Sequence, residues 1–525
     1  MTSPVRFPSP PPLVLAVAAG AVYAITACPF VLGGDVGEFA TLAAAGGVAH
    51  PPGYPLYVLW LRAFAWLPAR SPAHAAALAT AILGAAAVWA LQRACTAWGA
   101  SRTSTAIFAA LFAFSPLAWD LSTHAEVFAL NAFLAAAILV LAAPGDPPFG
   151  REHVRVGLLG LVAGLGIANH HTIVLLAPIG LYAAIRGVRR GRARAAALGA
   201  FGLAVGVAPY AYLVLAAHSP LAWGDTSTLA GVVHHFLRAD YGTTKLSASD
   251  APPLPLANLG ALAKTLLVGL FGAPLLALGL ARKRPGAPLV LLVVSFALCG
   301  PLFVMRFDLA ATGVQARIAE RFHLLPCVLA CVLGSLGLDV VARERLARYG
   351  GLVVAVLAGA RAATAWPTIA ERQRPTVEHY MKNALRSAPR DAVLLETSDG
   401  AVGAYFYETV ALGNRADVVL VSPRLLLGDW FARRTSEKLG FAIVHGEKHG
   451  DESPTLDAAA LVTQLLRSGR PVVAGDWLPS AIAASAPSYP IGPLVRLTPD
   501  PKTIPSPYDL EATNVELFAR FDLEP

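Results

Sequence analysis

Charge is what this sequence has least of. Asp, Glu, Lys and Arg make up 14% of its 525 residues, where a soluble domain carries about 25%. Apolar residues reach 56%, more than a surface in water can hide, so the surplus faces lipid. Cysteine is scarce too. Cys28, Cys95, Cys299, Cys327 and Cys331 all lie in or beside apolar runs. Cys327 and Cys331 have helical spacing, but no histidine or carboxylate completes a metal set, and all five read as small packing residues. No repeat of fixed period appears, whereas transporters are often built from repeated halves. Low complexity is confined to Pro8–Pro12. No cleavable signal stands out: the apolar run 13–32 is too long for one and reads as an uncleaved first helix.

What is present is a series of apolar runs. Crossing a bilayer takes about 20 apolar residues. Eleven candidates occur, at 13–32, 73–92, 104–119, 124–143, 154–169, 171–186, 195–217, 258–281, 287–305, 322–341 and 350–366. The run 54–68 is shorter and bracketed by Pro55 and Pro68, which suits a helix lying along the membrane surface. Charge counting supports that choice. With a cytoplasmic N-terminus and 33–72 outside, the inner loops receive Arg93 and Arg102, Arg151 and Arg155, and Arg186, Arg189, Arg190, Arg192 and Arg194. They also receive Arg282, Lys283 and Arg284, then Arg343, Arg345 and Arg348, so every dense basic cluster falls inside. The net charge of +8 is therefore a topology signal, and no nucleic-acid partner is expected. The outer loops, 33–72, 120–124, 169–171, 218–257 and 306–321, hold nearly all the unusual polar residues.

Past residue 366 charges become frequent. β-rich runs at 392–396, 417–422, 441–445 and 471–475 alternate with helical patterns at 376–388, 403–412 and 455–468. That alternation predicts a small α/β domain with a largely parallel sheet. GxGxxG, P-loop and GxSxG signatures are missing from it. The expected architecture is an α-helical polytopic membrane domain of about eleven spans, 1–366, followed by a soluble extracytoplasmic α/β domain, 367–525.

Several outer segments carry candidate chemistry. In Gly33-Gly34-Asp35-Val36-Gly37-Glu38 two carboxylates stand three apart. If a helix starts near Val36, Asp35 is its N-cap and Glu38 its third residue, a capping arrangement worth about 1 kcal/mol. Equally, carboxylates at a membrane surface suit a general base and an orienting group. His50-Pro51-Pro52-Gly53-Tyr54-Pro55 makes a rigid turn that projects His50 and Tyr54. Glu126 and Asn131 enter an apolar span, where ionisable groups are costly and usually functional. Asn169, His170 and His171 interrupt another; adjacent histidines diverge on a helix, so Asn169 with one of them suits hydrogen bonding to a substrate better than a shared metal. Arg238, Tyr241, Arg317, Arg321 and His323 lie in or beside outer loops, against the positive-inside trend. Guanidinium groups there can bind phosphate bidentately or snorkel to ordinary headgroups. No complete metal set is found, although two carboxylates and a histidine could hold a divalent cation.

Together GDVGEF, VAHPPGYPLY, HAEVFALN, GIANHHT, WGDTSTL and RADYG resemble, in order and spacing over about residues 10–245, the family of the eukaryotic multi-spanning O-mannosyltransferase that modifies plexin and Met-type receptors. The tail segment DAVLLETSDGAVGAYFYETVALGNRADVVLVSPRLLLGDWF is similar to the one following the membrane region in bacterial members. The family is placed in the GT-C glycosyltransferase superfamily. The resemblance implies an inverting transfer of one sugar from a polyprenyl-phosphate donor to a protein or glycan hydroxyl at the outer face of a bacterial inner membrane. It implies Asp35 as catalytic carboxylate with Glu38 supporting it. Arg317, Arg321 and Arg238 would hold the donor phosphate, with His323 beside them. Two departures stand out: Val36 replaces the family's usual Ser, and Gly400 to Val402 lack its polar residues. The alternatives are a lipid transporter or flippase, and a non-catalytic scaffold with an extracytoplasmic sensor domain.

Overall fold

The computed structural model describes residues 9–146, 150–243, 252–282, 285–309, 312–347, 349–446, 455–475 and 486–522. Lys283, Arg284 and Arg348 of the expected inner clusters, and parts of the outer loops 218–257 and 306–321, lie outside them. The chain opens with α1 (Pro12–Ile25), two short helices α2 (Val36–Ala45) and α3 (Pro55–Ala63), and then α4 (Pro72–Ala97). α5 (Arg102–Ala113) and α6 (Pro116–Asp120) share one apolar run, broken where Pro116 cannot continue the helix. α7 (Phe128–Ala142), α8 (Glu152–Asn169) and α9 (Ala177–Val207) follow. α9 is broken at Arg192, where φ is 53°, so it serves both expected spans 171–186 and 195–217 with their basic cluster at the bend.

Short α10 (Ala211–Leu215) and α11 (Leu229–Phe236) lead to α12 (Pro255–Leu267), α13 (Ala287–Cys299) and α14 (Pro301–Val304). α15 (Gly313–Glu320), α16 (Leu324–Ala347) and α17 (Gly350–Arg372) complete the apolar part. Helix falls on every expected span. Among the described residues five helical stretches are long and apolar enough to cross a membrane alone: Pro72–Ala97, His171–Leu215, Ala287–Val304, Gly313–Ala342 and Gly350–Ser387. The chain is an integral membrane protein. The expected surface segment 54–68 is α3, nine residues that bury Tyr57, Val58 and Leu61 and are too short to cross.

Packing between membrane helices needs small residues, because lipid leaves no hydrophobic drive between them. α8 and α9 meet through Gly157, Gly160 and Gly164 against Gly199, Gly202 and Gly206; a methyl group on Gly160 would sit 2.1 Å from the Gly199 carbonyl oxygen. Leu181 and Phe201, turned away from α8, stay exposed, as lipid-facing side chains do.

After α18 (Thr376–Ser387) comes a five-stranded sheet in the order β2-β1-β3-β5-β4. β1 (Val393–Leu395), β2 (Val419–Val421) and β3 (Val472–Ala474) are parallel and fully buried; β4 (Ser488–Ile491) and β5 (Leu494–Leu497) form an antiparallel hairpin on β3. α19 (Asp399–Phe406), α20 (Asp429–Leu439) and α21 (Ala458–Arg467) provide the crossovers.

The expected strand at 441–445 does not form. Ser436 Oγ and Gln464 Oε1 accept from the Ile443 and Val444 amides, and Gln464 Nε2 donates to Ala442 O, so side chains take the ladder's place. The hairpin was missed because Pro490 and Pro493 argue against a strand. β4 tolerates Pro490 because it is the edge strand.

This second unit sits on the loops around α2, at one end of the first. α19 crosses α2 so closely that a methyl group on Gly37 would lie 2.5 Å from the Gly403 carbonyl carbon. Around that crossing, Glu378 accepts from the Val31 amide (2.7 Å), Gln373 donates to Thr26 O and Thr123 Oγ1, and Trp430 stands 5.3 Å from Trp223.

Candidate active site

Gly33 and Gly34, the latter at φ +73°, turn the chain into α2. Asp35 occupies the expected N-cap position but makes no capping bond. Both acidic residues are engaged elsewhere, which corrects the capping reading. Asp35 Oδ2 accepts from Arg321 Nη1 (2.7 Å). Glu38 Oε1 accepts from the His50 amide (2.7 Å), and its Oε2 faces His50 Nδ1 at 2.6 Å.

The HPPGYP turn therefore reaches back and clamps α2. It contains a cis Pro51–Pro52 bond, and Tyr54 Oη lies 3.2 Å from His50 Nε2. Burial by itself would lower the His50 pKa, but the Glu38 and Asp35 carboxylates outweigh it and lift it to about 9. His50 is an imidazolium at neutral pH, donating from both nitrogens. For Asp35, burial pushes upward, and the Arg321 guanidinium with cationic His50 more than reverses it, holding the carboxyl below its ordinary value.

Glu126 closes the set. It lies in the turn before α7 and is 2% exposed, with Oε1 accepting from the same Arg321 Nη1 at 2.5 Å. Arg321 thus spends one nitrogen on two carboxylates. Its buried Nε–H and the second oxygen of Glu126 have no partner among the described residues.

Around this group Tyr54 stacks on His170 with ring centroids 5.8 Å apart. Asn131 donates to Thr172 Oγ1 (3.1 Å) and Thr172 donates to His170 Nδ1 (2.8 Å), which leaves the His170 proton on Nε2. Asn169 donates to Val127 O, tying the break after α8 to the turn before α7. The carbonyl oxygens of Asn131 and Asn169 are buried acceptors without a partner. Arg238 lies 5.5 Å over the Tyr241 ring, and Tyr241 is close enough to Glu38 and Asp35 to feel their charge.

Three expected residues stand apart. His171 turns away to Tyr210 and Phe236, diverging from His170 as anticipated. Arg317 is exposed one turn before Arg321. His323 bonds Thr265 Oγ1 (2.9 Å) rather than joining Arg321.

The sequence reading missed Arg372, which bridges Asp120 (2.9 Å) and Glu320 (2.7 Å) beside the site. Its one available signal was an arginine just past the last apolar run, on the expected outer side. Asp35, Glu38 and His50 offer ligand atoms within 4.8 Å of one another. A cation there would have to displace the proton on His50 Nδ1 and compete with Arg321, both already neutralising the carboxylates.

The sequence pattern described as the Protein O-mannosyl-transferase TMEM260 N-terminal domain matches residues 35–190. That span carries every site residue from Asp35 to His171, but none of the arginines. The mouse Protein O-mannosyl-transferase TMEM260 is 28% identical over 453 residues, covering 80% of this chain and 63% of its own length. The Dictyostelium discoideum protein of the same name is 24% identical, over 80% of this chain and 58% of its own. The chain is related to these O-mannosyl-transferases. It spans about three-fifths of their length. Its fold is that of ArnT from Cupriavidus metallidurans, solved bound to undecaprenyl phosphate: TM-score 0.59 at 14% identity, over 92% of this chain and 97% of that one. The apo ArnT structure matches at TM-score 0.59 and 11% identity, over 94% and 99%. The GT-C architecture expected from the motifs is therefore the observed one.

Proposed function

We propose that the chain is a membrane glycosyltransferase that moves one sugar, mannose by its relatives' names, from a polyprenyl-phosphate donor to an acceptor hydroxyl at the outer membrane face. The observation that carries the reading is Arg321, held between Asp35 and Glu126 with Nε–H still unpartnered. A largely enclosed cation with a spare buried donor, fixed beside an ionised carboxylate, suits a phosphate leaving group next to a base. The structural likeness to a protein solved with undecaprenyl phosphate supports a lipid-phosphate donor.

In this reaction Asp35 accepts the proton of the acceptor hydroxyl as its oxygen attacks the anomeric carbon. The bond from that carbon to the phosphate oxygen breaks, and Arg321 stabilises the charge building on the departing polyprenyl phosphate. Because Asp35 sits below its ordinary pKa, it is ionised at neutral pH, as a base must be. Phosphate arriving on Arg321 draws off part of the guanidinium field and makes Asp35 more basic when the hydroxyl needs it. Glu38 and cationic His50 fix α2 and the turn on which Tyr54 stands. Inversion follows from the superfamily resemblance.

The test is transfer from radiolabelled polyprenyl-phosphate mannose in membranes containing the unmodified protein or Asp35→Asn. The expected result is label in acceptor with the first and a loss of at least about 100-fold with the second. Equal transfer by both would remove Asp35 from the chemistry.

A further inference from the structure

The soluble unit brings its own side chains to the acidic motif. α19 begins at Asp399, just after the carboxyl end of β1, the edge at which open α/β sheets keep their ligand sites. Gly400 lies against the motif backbone: a methyl group there would come within 3.2 Å of Gly33 Cα and 3.5 Å of the Gly34 amide nitrogen. With glycine on both sides, nothing separates Asp399 from the rim of the site. The charges of Asp35, His50 and Arg321 all reach its carboxylate, which in turn acts on Tyr241.

Despite that crowding, the Asp399 side chain is 75% exposed. An exposed carboxylate that still feels the charges of Asp35, His50 and Arg321 stands at the rim of the site, open to an incoming molecule. Its ion pair with Arg424 is loose, 3.5 Å with Arg424 59% exposed, and such pairs add little stability. The loop that delivers it is nonetheless fixed. Buried Glu396 accepts from the Thr397 (2.8 Å) and Ser398 (3.0 Å) amides and from Tyr380 Oη (3.0 Å). A rigid loop ending in a weakly paired, solvent-facing charge beside a reaction centre is poorly explained by folding alone.

We infer that Asp399 and Arg424 bind the acceptor, the carboxylate accepting a hydrogen bond from it and the guanidinium donating one, so that its hydroxyl is held opposite Asp35. The inference rests on the transferase reading and names the acceptor side of that same site. Asp399 is then a specificity-determining residue supplied by the soluble unit, and water is the competitor it excludes.

The experiment follows labelled polyprenyl-phosphate mannose in membranes holding the full chain and separates label fixed in acceptor from mannose released to water. Losing one charge-assisted hydrogen bond predicts that Asp399→Asn lowers the ratio of acceptor label to released mannose about tenfold. Arg424→Gln should lower it in the same direction, Asp399→Glu should partly restore it, and the donor KM should stay within about twofold. A variant that merely damages folding lowers both products together and leaves the ratio unchanged. An unchanged ratio in Asp399→Asn, or a changed donor KM with an unchanged ratio, would overturn the inference. No transfer to either product by the unmodified protein would instead remove the transferase reading, and this inference with it.

Discussion

Arg321 and Arg372 each hold two carboxylates at the same end of the helices, and neighbouring residues link them, since Arg372 binds Glu320. Their geometries differ. Arg372 gives one nitrogen to Asp120 and another to Glu320, and Gln373 beside it adds bonds to Thr26 and Thr123. Arg321 gives a single nitrogen to both Asp35 and Glu126 and keeps a buried N–H unused. A guanidinium that spreads its donors over its partners has a structural task. One that doubles two anions on one donor holds capacity in reserve, and it does so where Asp35 and Tyr241 converge.

The largest expected effect tests that contrast directly. Arg321→Lys keeps the charge but loses the fork geometry, and should cut transfer about 100-fold with the protein still folded. Arg372→Lys should leave transfer within about threefold. Arg372→Gln, which strands Asp120 and Glu320, should destabilise by about 3 kcal/mol, read as a lower unfolding temperature in detergent. Equal activity losses for the two lysine variants would erase the distinction.

A second prediction concerns the contact that brings the two halves together. Gly37→Ala places a methyl group 2.5 Å from the Gly403 carbonyl carbon, where α2 and α19 touch, and should cost about 2 kcal/mol. The expected sign is faster proteolysis between α17 and α19, and a resistant variant would mean that the crossing has slack.

The smallest effect is a pH dependence. His50 is raised from 6.5 to about 9, so its pairing with Glu38 stabilises fully below about pH 6.5 and is lost as pH rises through about 9. Asp35 is lowered, so its share is present above its ordinary value of 3.8 and disappears only as pH falls below it. Unfolding temperature should therefore decline from pH 7 to 10 in the unmodified protein and stay flatter in His50→Gln.

Much of the site could be read from residue chemistry. Asp35, Glu38, His50 and Glu126 stand out because charged groups are rare in this chain, and Arg321 because it opposes the positive-inside trend. Their roles relative to one another were less legible. Spacing left Asp35 and Glu38 open to a helix cap as well as to chemistry, while the structure gives them to Arg321 and His50, partners 286 and 12 residues away. Nothing in one sequence pairs Gly37 with Gly403, or Asp120 with Arg372, because such contacts depend on how distant elements stack. The membrane helices were legible from hydropathy alone. In the soluble unit the three buried parallel strands were legible too, but Ile443 and Val444 look like a strand while side chains hold their amides, and Pro490 hides an edge strand that exists.

The crossing of α2 and α19 also makes the two halves thermodynamically linked. A ligand that binds only the folded, docked arrangement adds RT ln(1 + [L]/Kd) to its stability, about 2.7 kcal/mol at a hundredfold excess over Kd. With no side chain between Gly37 and Gly403 to act as a buffer, occupancy of the acidic motif and undocking of the sheet-bearing unit share one free-energy cycle. Melting of the water-soluble half thereby becomes a reporter of what is bound at the membrane.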